Sequence, residues 1–255
     1  MNVCTMHGDC LELMKNIPDA SIDMVLCDLP YGTTRNQWDC QIDLHGLWLQ
    51  YNRICRGAVV LTAQTPFDKV LGASNIGMLR YEWIWEKTNP TGHLNARIAP
   101  MKAHENILVF YDKAPTYNPQ KTFGHPRKSA LRAVNAKNSS NYGLVGEKVP
   151  YDSTERFPRS VLVFPSDKQK SKLHPTQKPV ALMAYLIRTY TNPGDVVLDN
   201  CMGSGTTGVA CLLSERRFVG VEKDEHFYNV AVERLRHKAE ILKDQRNLFS
   251  EHCEG

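Results

Sequence analysis

No stretch of this chain approaches the roughly 18 consecutive apolar residues that a membrane helix needs, and no charged-then-apolar leader opens it. Neither a membrane span nor a secretion signal is expected. None of the eight cysteines, at positions 4, 10, 27, 40, 55, 201, 211 and 253, is spaced Cys-x-x-Cys. That removes the usual mark of a zinc site or a thioredoxin-like pair, and no metal is expected. Cysteines inside apolar runs, as Cys27 is, serve as small apolar residues, and the reducing cytoplasm is the expected home. The remaining composition is that of an ordinary globular protein. With 42% hydrophobic and 23% charged residues in 255, the chain can bury a sizeable core as one large or two small domains.

One stretch organises what is present. Val196-Val197-Leu198-Asp199 is an apolar, β-branched run that stops at an acid, which predicts a buried parallel strand. Gly203, Gly205 and Gly208 follow with the spacing G-x-G-x-x-G, and Val209 to Leu213 continues as a helix. Glycines there let backbone N–H groups approach a ligand, and the helix N-terminus adds partial positive charge. A second strand, Phe218-Val219-Gly220-Val221, ends at Glu222, an acid placed to accept bonds from ribose hydroxyls. Strand, glycine turn, helix, strand and acid together predict an adenosine-containing cofactor.

Upstream, Val3 to Met6 is a short strand, and Asp9 stands where it could cap a helix over Leu11 to Asn16 or contact the cofactor. Ser21 to Cys27 is a second strand running into Asp28-Leu29-Pro30-Tyr31. Pro30 stiffens that loop, which presents one carboxylate, backbone carbonyls and one aromatic ring. These are the parts that hold a planar base with an exocyclic amine: oxygens accept its N–H bonds and Tyr31 stacks on its face. A helix over Leu44 to Ile54, a strand over Ala58 to Thr62, a helix from Thr65 to Leu71 and strands at Tyr81–Trp85 and Glu105–Tyr111 complete an α/β pattern.

From Lys113 the regularity fails. Between Lys113 and Lys178 there are 13 Lys and Arg but only 4 Asp and Glu, a local +9 in a chain whose net charge is +4. Tyr117, Phe123, Tyr142, Tyr151 and Phe157 are interleaved with the basic residues. Basic, aromatic and irregular sequence fits nucleic-acid contact, with Lys121, Arg127, Lys128, Arg132, Lys137, Arg156 and Arg159 as candidate DNA-binding residues; an ordinary insertion loop would look the same. His174-Pro175-Thr176-Gln177-Lys178-Pro179 then leads into a helix over Val180 to Tyr190, and a last helix runs from Glu225 to about Leu242 before a frayed tail from Asn247.

Taken together the pieces resemble the S-adenosylmethionine-dependent DNA amino-methyltransferases, N6-adenine or N4-cytosine type, in the permuted order called the β group. Four segments carry the resemblance. Asp28-Leu29-Pro30-Tyr31 resembles the catalytic Asp-Pro-Pro-Tyr, and His174 to Pro179 resembles the stretch before the cofactor helix. Leu198-Asp199 with Gly203-Ser204-Gly205-Thr206-Thr207 resembles the cofactor loop, and Arg217 to Glu222 the strand whose acid binds ribose. Leu29 stands in place of the motif's first proline, which should loosen the loop. Asn200 and Cys201 replace the usual proline and phenylalanine, leaving less apolar cover over the cofactor.

The resemblance implies a doubly wound, mostly parallel, Rossmann-like α/β fold, circularly permuted. Residues 1–112 form the catalytic half, 113–172 an inserted DNA target-recognition region and 173–255 the cofactor half. It implies Asp28, Pro30 and Tyr31 as catalytic residues. Asp9, Asp28, His174, Thr176, Gln177, Lys178, Asp199, Cys201, Gly203, Ser204, Gly205, Thr206, Thr207, Glu222 and Lys223 are the implied cofactor residues, with S-adenosyl-L-methionine as cofactor and double-stranded DNA as partner. A homodimer, a restriction partner and a phage or prophage context are compatible with it. No Pro-Cys dipeptide occurs, which disfavours cytosine C5 chemistry through a thiolate. Asp at position 28 leans toward adenine N6. A nicotinamide-dependent oxidoreductase shares the glycine fingerprint but needs further strand-helix units after Glu222, where one long helix remains. A decayed, non-catalytic DNA-binding relative and an RNA amino-methyltransferase also fit the motifs. The mechanism requires the strands ending at Asp199 and Asp28, far apart in sequence, to lie side by side.

Overall fold

The computed structural model describes residues 3–31, 42–133, 148–166 and 177–251. Its elements in chain order are β1 (Val3–His7), α1 (Cys10–Met14), β2 (Ile22–Asp28), α2 (Leu44–Ile54), β3 (Cys55–Ala63), α3 (Phe67–Ser74), β4 (Leu79–Thr91), β5 (Lys102–Phe110), β6 (Lys128–Ala133), β7 (Lys148–Ser153), β8 (Val161–Phe164), α4 (Val180–Tyr190), β9 (Val196–Asp199), α5 (Thr206–Leu213), β10 (Arg217–Glu222) and α6 (Glu225–Glu251). A short 3₁₀ turn, His93–Asn95, lies between β4 and β5.

Eight strands form one sheet in the order β1-β10-β9-β2-β3-β5-β4-β8. All neighbours pair parallel except β5, which is antiparallel to both β3 and β4. The apolar runs of β2 and β9 are buried on both faces, as a parallel strand covered by helices requires. Met24 and Leu26 of β2 join a core with α4, α5 and α6, while Val25 and Cys27 join a second core with α1, α2 and α3. The sheet is therefore doubly wound, and β2 lies beside β9 with Met24 opposite Val197 and Val25 opposite Leu198. From that pair the chain winds outward in both directions, which makes it the switch point where open α/β sheets bind ligands.

The chain divides into two compact units, Met1–Asn118 with Ser160–Gly255, and Pro119–Arg159. The second unit contains an antiparallel hairpin, β6 with β7, in which Lys128 lies opposite Ser153 and Ala133 opposite Lys148. Several elements differ from the sequence reading, the strands β6 and β7 among them, since they lie in the stretch that reads as irregular. Val161–Phe164, within the stretch that reads as irregular, is a strand of the main sheet, parallel to β4. Its four residues are too few for periodicity to declare them. Strand β4 begins at Leu79 and runs on well past Trp85 to Thr91. Helix α6 runs on to Glu251 because no glycine or proline interrupts it after Leu242.

Candidate active site

Four adjacent parallel strands end at one edge of the sheet, and each delivers an acid there. Strand β1 leads to Asp9, β10 ends at Glu222, β9 at Asp199 and β2 at Asp28. The pairing of His7 with Glu222, and of Gly220 with Asp199, sets their order along the edge.

Asp28 is held entirely by side chains. Tyr31 donates its hydroxyl to Oδ1 at 2.7 Å, and Thr62, from the end of β3, donates to the same oxygen. Lys178 donates its ammonium to Oδ2 at 2.6 Å. The Lys178 side chain is only 5% exposed and also faces Glu105 Oε2 at 3.2 Å; Glu105 Oε1 in turn pairs with Lys87 at 2.6 Å. Although burial opposes its charge, the carboxylates of Asp28 and Glu105 hold the Lys178 ammonium well above the ordinary lysine range. Burial likewise opposes ionisation of Glu105, but Lys178 and Lys87 keep its carboxyl below the usual value. Two lysines and two carboxylates thus form one charge-balanced chain at the sheet edge. The Tyr31 ring stacks on Phe67, with centroids 5.3 Å apart and planes at 28°, and the Lys178 ammonium lies 5.7 Å from the ring centroid. Burial, then the charge of Asp28, raises the Tyr31 hydroxyl well above its ordinary value, so it stays a neutral donor. Leu29 is 3% exposed and packs in the core, so it anchors the Asp28 loop where the sequence suggested loosening.

Asp199 is held differently. It is 2% exposed, has no ammonium or guanidinium partner among the described residues, and Oδ1 accepts from the Cys201 N–H at 3.1 Å. Burial pushes its carboxyl up to about 6, against the opposing help of Thr207, Cys27 and the Cys201 amide. Cys27 itself is pushed up to about 12 by burial, which makes it an inert thiol.

The glycine turn follows. Gly203 and Gly205 take positive φ, 50° and 76°, which the turn into α5 requires. Gly208 serves packing instead. A Cβ there would lie 2.6 Å from Leu235 and 2.8 Å from Phe218, so its missing side chain lets α5 close on α6 and β10. Ser204 and Thr206, predicted to serve the cofactor, offer their hydroxyls to Arg234 Nη1 at 3.2 and 3.1 Å, and the Ser204 carbonyl accepts from it at 3.0 Å. Their hydroxyls therefore clasp the turn to α6, and nothing in the local sequence singles out Arg234 for this role. Cys201 lies beside Asn200, whose amide nitrogen is 3.6 Å from its sulfur; Asn200 Oδ1 accepts from Tyr51 at 2.5 Å. Glu222 accepts three backbone bonds, from Gly203 to Oε2 at 2.8 Å and from Lys223 and Asp224 to Oε1 at 2.9 Å each. It fixes the glycine turn and the entry to α6 together, so it is not a side chain simply open to a cleft. Asp9 both caps α1 through Leu11 N–H at 3.0 Å and pairs with Lys223 at 3.1 Å. Gln177 is buried, with Oε1 unpartnered among the described residues. Lys178, grouped from sequence with Asp28 among the cofactor residues, pairs with Asp28.

In the Pro119–Arg159 unit the candidate DNA-binding residues divide. Lys121 pairs with Glu155 at 2.8 Å and lies over Phe157, and Arg127 grips Asp152 through two bonds of 2.7 and 2.6 Å. Arg156 donates to the carbonyls of Ser153, Glu155 and Pro126, so it holds the unit's own fold together. Lys128 and Arg159 are exposed, and Arg132 stands on β6. His174, Thr176 and Lys137 lie outside the described residues.

A family model for DNA methylases, covering N6 and N4 amino-methylation, matches residues 22–233. The chain belongs to this DNA methylase family. Curated relatives include the DNA adenine methyltransferase YhdJ of Escherichia coli (strain K12), 29% identical over 90% of this chain and 81% of the relative, and the type II methyltransferase M.HinfI of Haemophilus influenzae, 27% identical over 91% and 67%. Among solved structures, the M1.HpyAVI–SAM complex aligns with a TM-score of 0.62 at 24% identity, over 91% of this chain and 98% of that one. The cytosine-N4-specific PvuII methyltransferase aligns with 0.62 at 17%, over 94% and 92%. The doubly wound, Rossmann-like methyltransferase fold expected from the motifs is thereby established for this methylase, down to its mostly parallel sheet.

Proposed function

We propose that this methylase transfers a methyl group from S-adenosylmethionine to the N6 amine of an adenine flipped out of double-stranded DNA. The observation that carries the reading is Asp28, at the end of β2, standing next in the sheet to β9 and its glycine turn. The chemistry of the donor set fits the cofactor: half-exposed carboxylates at Asp9 and Glu222 suit hydroxyl and ammonium groups, and left-handed glycines shape the turn at the α5 N-terminus. When bound, the cofactor supplies an electrophilic methyl group. The amine of adenine is a poor nucleophile because its lone pair is delocalised into the ring. Asp28 and the Pro30 carbonyl accept hydrogen bonds from its two N–H groups and favour a more tetrahedral nitrogen, and as the methyl group leaves the sulfonium for nitrogen one proton passes from the amine through Asp28 toward solvent. Most of the gain is orientation, joined by electrostatic help as positive charge develops on nitrogen. Tyr31, with its hydroxyl on Asp28 and its ring on Phe67, would stack on the flipped base only by exchanging one of its present neighbours.

Asp at position 28 and the adenine specificity in the name of YhdJ support N6 over N4 of cytosine. The basic stretch, with Lys128 and Arg159 as exposed cations, is the proposed DNA-recognition region. Incubating the purified chain with DNA and labelled S-adenosylmethionine, then digesting to nucleosides, tests the reading. N6-methyladenosine is the expected product. N4-methylcytosine would reverse the base assignment, and no labelled base would remove the function.

A further inference from the structure

The carboxylate of Asp28 offers about four acceptor directions, two on each oxygen. Tyr31 and Thr62 take both on Oδ1, and Lys178 takes one on Oδ2, which leaves one, next to the ammonium. A lysine only 5% exposed is a costly donor, and the chain keeps it charged with a second carboxylate, Glu105, itself balanced by Lys87. Lys87 and Glu105 come from β4 and β5, Lys178 from the segment before α4, and Asp28 from β2, so four separate segments supply one chain of ion pairs. Glu105 and its neighbour Asn106 stand at this edge only because β5 runs against β3 and brings its N-terminal end to the C-terminal end of the parallel strands.

We propose that Lys178 is the positioning residue of Asp28: its ammonium, seated by Glu105 and Lys87, fixes the carboxylate so that a single acceptor direction on Oδ2 is presented to the target amine. This rests on the assignment of Asp28 as the acceptor of that amine. It also takes Lys178 out of the cofactor group. The charges facing the ammonium are the carboxylates of Asp28 and Glu105, with Lys87 beyond Glu105 and the neutral phenol of Tyr31 beside it.

Lys178→Met keeps most of the stem and removes the charge. Single-turnover methyl transfer should fall about 100-fold, the loss expected for a misplaced proton acceptor. S-adenosylmethionine affinity, measured by calorimetry, should be unchanged. An unaltered rate would overturn the inference, as would a loss of cofactor affinity as large as the loss in rate. A measurement without turnover guards against a variant that fails to fold. In protein carrying carbon-13 lysine, the Lys178 ε-carbon signal should titrate at lower pH in Asp28→Asn than in the natural chain. Identical titrations would overturn the contact on which the proposal stands. A natural chain that binds the cofactor yet methylates no DNA would instead defeat the functional reading, with the titration still deciding the contact.

Discussion

Asp28 and Asp199 are the same residue type, at the ends of neighbouring parallel strands, and their surroundings treat them in opposite ways. Asp28 has an ammonium, a phenol and a threonine hydroxyl directed at it, all from side chains. Asp199 is sealed under the glycine turn with a backbone N–H and Thr207, and its carboxyl is pushed up to about 6. A carboxylate that keeps a cation beside it and remains partly open can accept a bond from an incoming amine. One that is buried without a cation carries a cost in its charged form and is suited to holding a turn. Position at a strand end is therefore not enough to assign a role; the partners behind the carboxylate decide it.

The sharpest way to break this contrast is to remove Asp28. Asp28→Ala should reduce methyl transfer by about 1,000-fold, within the range for loss of a positioned proton acceptor. Cofactor affinity should hold, because the glycine turn and Glu222 do not depend on Asp28. Near-normal turnover in single-turnover assays would remove it from catalysis.

Asp199 should show the reverse pattern, in stability and not in rate. Its folded carboxyl titrates near 6, above the ordinary aspartate value of 3.8. The unfolded chain therefore ionises first, and the native state loses stability as pH rises from about 4 to about 6, with a constant cost above that. Asp199→Asn keeps an acceptor for the Cys201 N–H and removes the buried charge. At pH 8 it should be more stable than the natural chain by about 2–3 kcal/mol, a gain that disappears near pH 4. Urea unfolding at both pH values checks the sign; equal stability at pH 8 would show that Asp199 is better solvated or paired than its burial indicates.

The part of the site that local sequence can reveal is the part built from contiguous motifs. Asp28 to Tyr31, the glycine turn and Glu222 each announce themselves by strand, turn and acid, and the adjacency of β2 and β9 follows from the way doubly wound sheets are built. Glu105 and Lys87 do not. They lie on an antiparallel pair of strands whose register alone brings them to the edge, and a charged residue in a strand is ordinarily an exposed one. Arg234 is hidden for a similar reason: its neighbours on α6 look like any solvated helix face, and only the packing of α5 against α6 turns it toward Ser204 and Thr206. Lys178 is visible as part of a motif, but a motif names the residue without saying which neighbour it serves.

Glu222 extends the contrast to a third strand end, and it combines both kinds of support. Like Asp199 it is tied by backbone N–H groups, three of them, yet like Asp28 it is only partly buried. Lys223 and Asp224 fill both acceptor directions of Oε1, but Oε2 keeps one beside the Gly203 bond, so a ribose hydroxyl can be bound without releasing Gly203. Glu222→Gln keeps the shape but turns one oxygen into a donor. Whichever way the amide is placed, a donor then faces the N–H of Gly203 or those of Lys223 and Asp224. Cofactor affinity should fall about tenfold, equivalent to about 1.4 kcal/mol, from the lost charge-assisted bond. The unliganded protein should also lose about 1 kcal/mol or more of stability, because a backbone N–H is left facing a donor. A side chain that served only the cofactor would give the first effect without the second, and one that served only the turn would give the second without the first. Calorimetric titration with S-adenosylmethionine, beside urea unfolding of the same two proteins without ligand, separates these cases. Loss of both affinity and stability would confirm that one carboxylate holds the glycine turn in the shape that the cofactor meets.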